Sequence, residues 1–337
     1  MKQPLITAIA TTIAAFSMTM TTAQATTTVQ MTPSAVAAPV VVIKAHVRFV
    51  SNGITIAATL FRPDSGRRLP AVVVAHPAGG VKEQTASLYA ERLAAKGYAA
   101  LVYDAAYQGE SGGEPRGLED PFQRAEDVRA AVTYLATRSD IDPQRIAALG
   151  ICASGSYVPF AAQTDRRIKA VATVSAIDLT KEIFTSPEAR DALLDQAGTL
   201  RNLEARGEGA FMMNHTPTTK IEAGTFPERS LFREAYDYYR TPRGAHPRST
   251  QWGPMRMDVA AQFDAFAHNN WIAPRPLLMI AGTDADTRHY SEEGIAKATG
   301  PKELYLVKGA SHVDLYDKDE FVPKVVDKLA DFFDKGL

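Results

Sequence analysis

A single cysteine, Cys152, is all that the 337 residues hold. A lone thiol excludes an intramolecular disulfide framework and any metal site built from several cysteines. The seven histidines are dispersed, with no His-x-x-x-His pair of the kind that grips zinc from one helix face, so the residues imply no metal and no cofactor. Excess charge of one sign is also lacking, since 37 Lys and Arg stand against 38 Asp and Glu. No uniform basic surface awaits nucleic acid or an anionic membrane. Internal repeats and heptads are absent as well. With 45% apolar and 22% charged residues, the chain reads as a soluble globular protein able to bury a sizeable core, as one large domain or two.

The first 43 residues carry one charge, Lys2, followed by the uncharged stretch LITAIATTIAAFSMTM and the small-x-small box Ala23-Gln24-Ala25. Positive start, apolar run and cleavage box in that order predict a secretory signal peptide over residues 1–25, with the mature chain beginning at Thr26. Repeated Thr interrupts the run, which is a poor match to the roughly 20 mostly apolar residues of a membrane span. A periplasmic or secreted protein with no stable membrane anchor is therefore expected. Residues 26–40 lack charge and contain Pro33 and Pro39, which predicts an extended linker.

From about residue 41 the pattern changes. VVIKAHVRFV and ITIAATLFRP flank Ser51-Asn52-Gly53, a strong hairpin signal. AVVVAHP, a helical pattern over Lys82 to Lys96, AALVYDA, a helix over Ala125 to Thr137, RIAALGI, a helix near Tyr157 to Ala162 and IKAVATVSA follow in turn. Much later come PLLMIAG, a helix near Glu292, KELYLVKGA and the helix VPKVVDKLADFF. Near-continuous apolar strands alternating with amphipathic helices predict a mostly parallel, doubly wound sheet covered on both faces. About a hundred residues between Ala176 and Pro276 interrupt this alternation, and 177–272 reads as a cap inserted between strands 6 and 7. Its Phe211, Met212, Met213, Tyr236, Tyr238, Tyr239 and Trp252 suit a partly apolar roof over a site, or equally a small core of the cap itself.

RIAALG runs directly into Ile151-Cys152-Ala153-Ser154-Gly155, a small-x-nucleophile-x-small pattern where a buried strand meets a helix. That is the arrangement of a nucleophile elbow, with Gly150 and Ser154 as the small flanking residues. A helix N-terminus next to the thiol is a setting that lowers a cysteine pKa. Ser154 competes as nucleophile two residues later, although that register leaves Gly150 inside the strand. Pro159 predicts a kink or a delayed helix start. His312, in Gly309-Ala310-Ser311-His312 after the last strand, sits where a base would stand. The orienting acid should follow PLLMIAG, where Asp286 is favoured and Asp284 is the alternative. Backbone N–H groups of Ala153 and of Ala78, in His76-Pro77-Ala78-Gly79-Gly80, are the expected oxyanion hole, with His76 holding that loop.

Four motifs together carry a resemblance: HPAGGVKEQT (His76 to Thr85), YDAAYQGESGG (Tyr103 to Gly113), LGICASG (Leu149 to Gly155) and GASHVDLYD (Gly309 to Asp317). From about Val41 to Leu337 the chain resembles an α/β-hydrolase, and within that fold a bacterial subgroup related to dienelactone hydrolases. The resemblance implies Cys152 as nucleophile, His312 as base, and a small-molecule ester, lactone or thioester as substrate. It departs in having Pro77-Ala78 where dienelactone hydrolases carry a Glu, and in its long cap. Acyl transfer or cyclisation on the same scaffold is the alternative reading, and a catalytically silent ligand-binding scaffold is a third.

Overall fold

The computed structural model describes residues 40–209 and 212–337, so the expected signal peptide, almost all of the linker, and Phe211 lie outside the described residues. The chain opens with strands β1 (Val42–Ser51) and β2 (Ile54–Pro63), paired antiparallel from Ser51 opposite Ile54. Asn52 and Gly53 between them both take positive φ, +45° and +79°, as a two-residue hairpin turn of matching twist requires. There follow β3 (Leu69–Ala75), α1 (Thr85–Ala95), β4 (Ala99–Tyr103), α2 (Pro121–Ala136), β5 (Ile141–Ile151), α3 (Ser154–Thr164) and β6 (Ile168–Val174). The inserted segment contains α4 (Leu179–Ile183), α5 (Pro187–Ala205), β7 (Met212–Asn214), α6 (Lys220–Ala223), α7 (Leu231–Tyr239), β8 (Trp252–Pro254) and α8 (Met257–Ala260). The chain then completes its main layer structure with β9 (Leu277–Gly282), α9 (Arg288–Lys297), β10 (Lys302–Val307), α10 (Asp314–Asp317) and α11 (Val322–Gly336).

One eight-stranded sheet runs in the order β1-β2-β4-β3-β5-β6-β9-β10. Its first two pairings, β1 with β2 and β2 with β4, are antiparallel, and all the others are parallel. Helices on both faces explain why β3, β4, β5, β6 and β9 are apolar without alternation: neither face meets water. Among the described residues no helix is long and apolar enough to cross a membrane.

Three helices differ from the sequence reading. α2 begins at Pro121 because Asp120 caps it, its Oδ1 accepting from the N–H groups of Phe122 and Gln123 at 2.9 and 3.1 Å, with proline at the first position where no donor is needed. α3 starts at Ser154 with no delay and carries Pro159 inside it. α1 begins only at Thr85, since residues 81–84 form a turn in which Gln84 Oε1 accepts from the Val81 N–H.

That turn is fastened by a buried ammonium. Lys82 Nζ lies 2.8 Å from Asp104 Oδ2, 2.7 Å from Glu110 Oε2 and 2.9 Å from Glu83 Oε1, and both Lys82 and Asp104 are buried. Oxygens of the three carboxylates lie within 4.8 Å of one another, and the ammonium stands among them. Asp104 also accepts from the Lys82 and Glu110 N–H groups, so one carboxylate ties the loop after β3 to the loop after β4. Lys82→Met strands Asp104 in the interior without its counter-ion, and unfolding in urea should show a loss of about 3–5 kcal/mol. A loss below about 1 kcal/mol would mean that water reaches this carboxylate and that the lysine does not set the loop.

Candidate functional site

The parallel strands β3 and β5 are neighbours, with Ala75 opposite Gly150, so the loops leaving their C-terminal ends emerge side by side. Cys152 occupies the bend between β5 and α3 with φ +57°, a left-handed conformation that few non-glycine residues adopt outside tight functional turns. Its N–H donates to Val174 O at 3.0 Å and its carbonyl accepts from Gly155 and Ile177, which locks the bend against β6. Gly150 is required here: a Cβ on it would lie 2.0 Å from the Ser154 carbonyl oxygen. Gly155 is the other small residue the bend needs, because its Cβ would meet Ala176 at 2.6 Å. Ser154 has another task. Its hydroxyl is buried in the first turn of α3 and donates to His76 O at 2.6 Å, so the strained position belongs to Cys152.

The Ala153 N–H faces the Cys152 thiol and favours its charged form. Ala78 is buried in the loop after β3, and that loop is held by His76. His76 Nε2 accepts from the Ala105 N–H at 3.0 Å, so the proton is on Nδ1, 2.6 Å from Pro77 O. Burial and the adjacent Arg124 keep this ring neutral. Arg124, 4% exposed, donates to His76 O at 2.6 Å and to Ser154 Oγ at 3.2 Å, and its Nε lies 3.4 Å from Glu119 Oε1. One guanidinium therefore links the loop after β3, the start of α3 and the segment before α2.

His312 is fully buried. Its Nδ1 lies 2.6 Å from Thr287 Oγ1 and its Nε2 lies 3.2 Å from the Tyr316 hydroxyl. The same Tyr316 hydroxyl acts on the Cys152 thiol and favours its charged form. The hydrogen bonds thus run from Tyr316 to His312 to Thr287.

This arrangement corrects the acid expected from the sequence. Asp286 is exposed, and its Oδ2 accepts from the Leu231 N–H at 3.0 Å, capping cap helix α7. Asp284 is exposed too, accepting from Thr283 Oγ1 at 2.8 Å with Arg229 3.5 Å away. The bend after β9 turns both carboxylates outward and brings the next residue, Thr287, inward. A loop spelled Thr-Asp-Ala-Asp-Thr gives no sign of which residue points where. Tyr316 and Arg124 were also missed: each sits at helical spacing among apolar neighbours and reads from sequence as an ordinary helix residue.

The thiol departs from expectation in the same way. Burial pushes Cys152 up to about 11, outweighing the Tyr316 hydroxyl and the Ala153 N–H, which act in the opposite direction. Burial also pushes His312 down to about 3. At neutral pH both groups are therefore uncharged.

The cap closes over these residues, leaving Cys152 only 7% exposed. It is fastened by Ser249 Oγ donating to Gly79 O (2.8 Å), Gln84 Nε2 donating to Gly244 O (2.6 Å) and Ser311 Oγ donating to Glu234 Oε2 (2.5 Å). The aromatic roof inferred from composition is only partly realised. Tyr238 and Tyr239 are buried against Tyr316, with ring centroids 5.1 and 6.3 Å away, whereas Met212 and Trp252 are exposed.

If Thr287 orients the imidazole, Thr287→Val should lower kcat on an activated ester by about 10- to 100-fold, the cost of one unmade buried hydrogen bond. Asp286→Ala should change kcat by less than about twofold. A larger effect from Asp286→Ala than from Thr287→Val would restore the aspartate.

A family model described as X-Pro dipeptidyl-peptidase (S15 family) matches residues 52–245. The uncharacterized protein YcjY of Escherichia coli K12 is 38% identical over 297 residues, 84% of this chain and 95% of that one. The crystal structure of hypothetical protein PA2218 from Pseudomonas aeruginosa covers 88% of this chain and 94% of its own, at 36% identity and a TM-score of 0.80. A thiohydrolase of Arthrinium phaeospermum, apmlB, is 30% identical over 67% of this chain and 75% of its own. Structures of α/β-hydrolases and lipases share the architecture. The chain is a hydrolase of the α/β-hydrolase fold and belongs to the S15 peptidase family.

Proposed function

We propose that the protein is an exported hydrolase that cleaves a small-molecule ester, lactone or thioester through an acyl-enzyme on Cys152, within the subgroup related to dienelactone hydrolases. The observation that carries this reading is the position of Cys152 at φ +57° on the strand-to-helix bend, with the Ala153 N–H beside the thiol and Tyr316 between it and His312. Sulfur attacks the acyl carbon while the thiol proton passes to the Tyr316 oxygen and the Tyr316 proton passes to His312 Nε2. Thr287 Oγ1 accepts from Nδ1–H, which keeps Nε2 free to receive it. Negative charge on the former carbonyl oxygen is met by the N–H groups of Ala153 and Ala78, worth about 3 kcal/mol each. His312 returns its proton to the leaving group, and a water deprotonated by the same imidazole then releases the acid.

Acyl transfer is the second reading, and burial of the site favours it: with His312 fully enclosed, an acceptor alcohol held under the cap can outcompete water. Product analysis with and without added alcohol separates the two.

Intact mass of a quenched reaction should show one acyl group, mapped to Cys152 and absent from Cys152→Ala. An adduct on Ser154, or no adduct with any activated ester or thioester, would overturn the cysteine reading. Because neither the thiol nor the imidazole titrates near neutrality, kcat/KM should be level from about pH 5 to 9, and alkylation by iodoacetamide should rise about tenfold per unit through that range. Fast alkylation that plateaus near neutral pH would mean a stored thiolate. Tyr316→Phe should lower kcat and make it climb with pH, since sulfur must then ionise before attack.

A further inference from the structure

Among the described residues, several of the buried polar atoms that lack a partner belong to residues of the cap and of the segment beneath it. Cap strands β7 and β8 pair from Met212 opposite Pro254 to Asn214 opposite Trp252, and the His215 N–H donates to Gln251 O at 2.8 Å just beyond them. This brings the His215 and Gln251 side chains down onto Gly79, next to the expected oxyanion donor Ala78. A Cβ on Gly79 would stand 3.0 Å from Gln251 Nε2 and 3.1 Å from His215 Cδ2, so glycine makes the approach possible. Both ring nitrogens of His215, Gln251 Oε1, Thr216 Oγ1, Glu119 Oε2 and the Tyr239 hydroxyl are buried and have no hydrogen-bond partner. Gln251 and Glu119 are each 1% exposed, Thr216 3% and Tyr239 7%. Native interiors rarely leave such groups unmade, still less five residues together.

These side chains adjoin the candidate site: His215 and Gln251 pack on Gly79, and Tyr239 packs against Tyr316. Glu119 pairs with Arg124 at 3.4 Å, and Arg124 donates to Ser154 Oγ at 3.2 Å, two residues beyond Cys152. Glu119 Oε2 and Gln251 Oε1 can only accept as they stand, whereas Tyr239 can donate and His215 can do one of each. A hydrocarbon chain would leave all of them unsatisfied. A hydroxyl, which donates and accepts at once, would not.

We propose that His215, Gln251, Glu119 and Tyr239 form a polar subsite that selects hydroxylated acyl groups, a proposal that rests on the acyl-enzyme reading above. The test uses the full chain and a matched set of N-acetylcysteamine thioesters, butanoyl against 2-, 3- and 4-hydroxybutanoyl. At least one hydroxylated member should exceed butanoyl in kcat/KM by about 100-fold or more, as sites built around a substrate hydroxyl reject analogues that lack it. His215→Leu and Gln251→Leu, made separately, should each reduce that ratio to under about tenfold. Equal rates across the set, with the adduct on Cys152, would overturn the subsite and leave the acyl-enzyme standing. A wild-type preference that both variants retain would also overturn it. The expected preference with an adduct found elsewhere would sink the cysteine reading while supporting the subsite.

Discussion

The guanidinium of Arg124 is the constraint on which the geometry of this centre depends. It reaches the backbone of His76, the hydroxyl of Ser154 and the carboxylate of Glu119, and its face lies 5.2 Å from the Tyr157 ring centroid. Those partners come from the loop after β3, the start of α3 and the segment before α2, at the C-terminal edge of the sheet where ligands meet folds of this kind. A buried charge adds little net stability once its desolvation is counted. What it supplies is geometry, because the planar fork satisfies all three partners in only one arrangement. Ser154, the alternative nucleophile by pattern, is thereby made a strut between α3 and the loop that carries Ala78.

Glu119 extends this framework into the cap. Its N–H donates to Pro254 O at 3.1 Å, so the residue that neutralises Arg124 also seats strand β8. Around the rim the fastening is ionic: Arg229 lies 3.2 Å from Asp314, Arg243 2.5 Å from Asp317 and Arg248 2.5 Å from Glu83. Partly exposed pairs of this sort contribute little each and weaken with salt. The cap is thus held firmly over Arg124 and loosely at its edge, a division of labour that suits the proposed function, in which substrate must reach a thiol that is 7% exposed.

The sheet, its hairpin and the elbow were legible because each rests on a local pattern. Apolar runs gave the strands, Asn52-Gly53 the turn, and Gly150 the bend, and all three meanings follow from sterics within a few residues. Cys152 and His312 were legible as strand-end residues for the same reason. The rest depends on direction and environment. Whether Asp286 or Thr287 faces His312 is decided by the rotation of one turn. The protonation of Cys152 is decided by how completely it is buried beneath a cap inserted later in the chain, so the helix N-terminus suggested one sign and burial produced the other. Arg124 and Tyr316 belong to the centre only because distant segments fold onto them.

Two of these departures explain each other. In the proposed mechanism, a carboxylate behind His312 would stabilise the imidazolium formed when Cys152 gives up its proton. Thr287 offers only a dipole, and the desolvated ring resists charge, which burial expresses as a pKa of about 3. Such a base is weak, and an alcohol would depend on it heavily. A thiol depends on it less: sulfur is the stronger nucleophile, and its proton is held several orders of magnitude less tightly than that of an alkyl hydroxyl. In this reading, cysteine at the elbow and a hydroxyl in place of the acid form one solution, a neutral pair that stores no charge beneath the cap and moves its proton only as the acyl carbon is attacked.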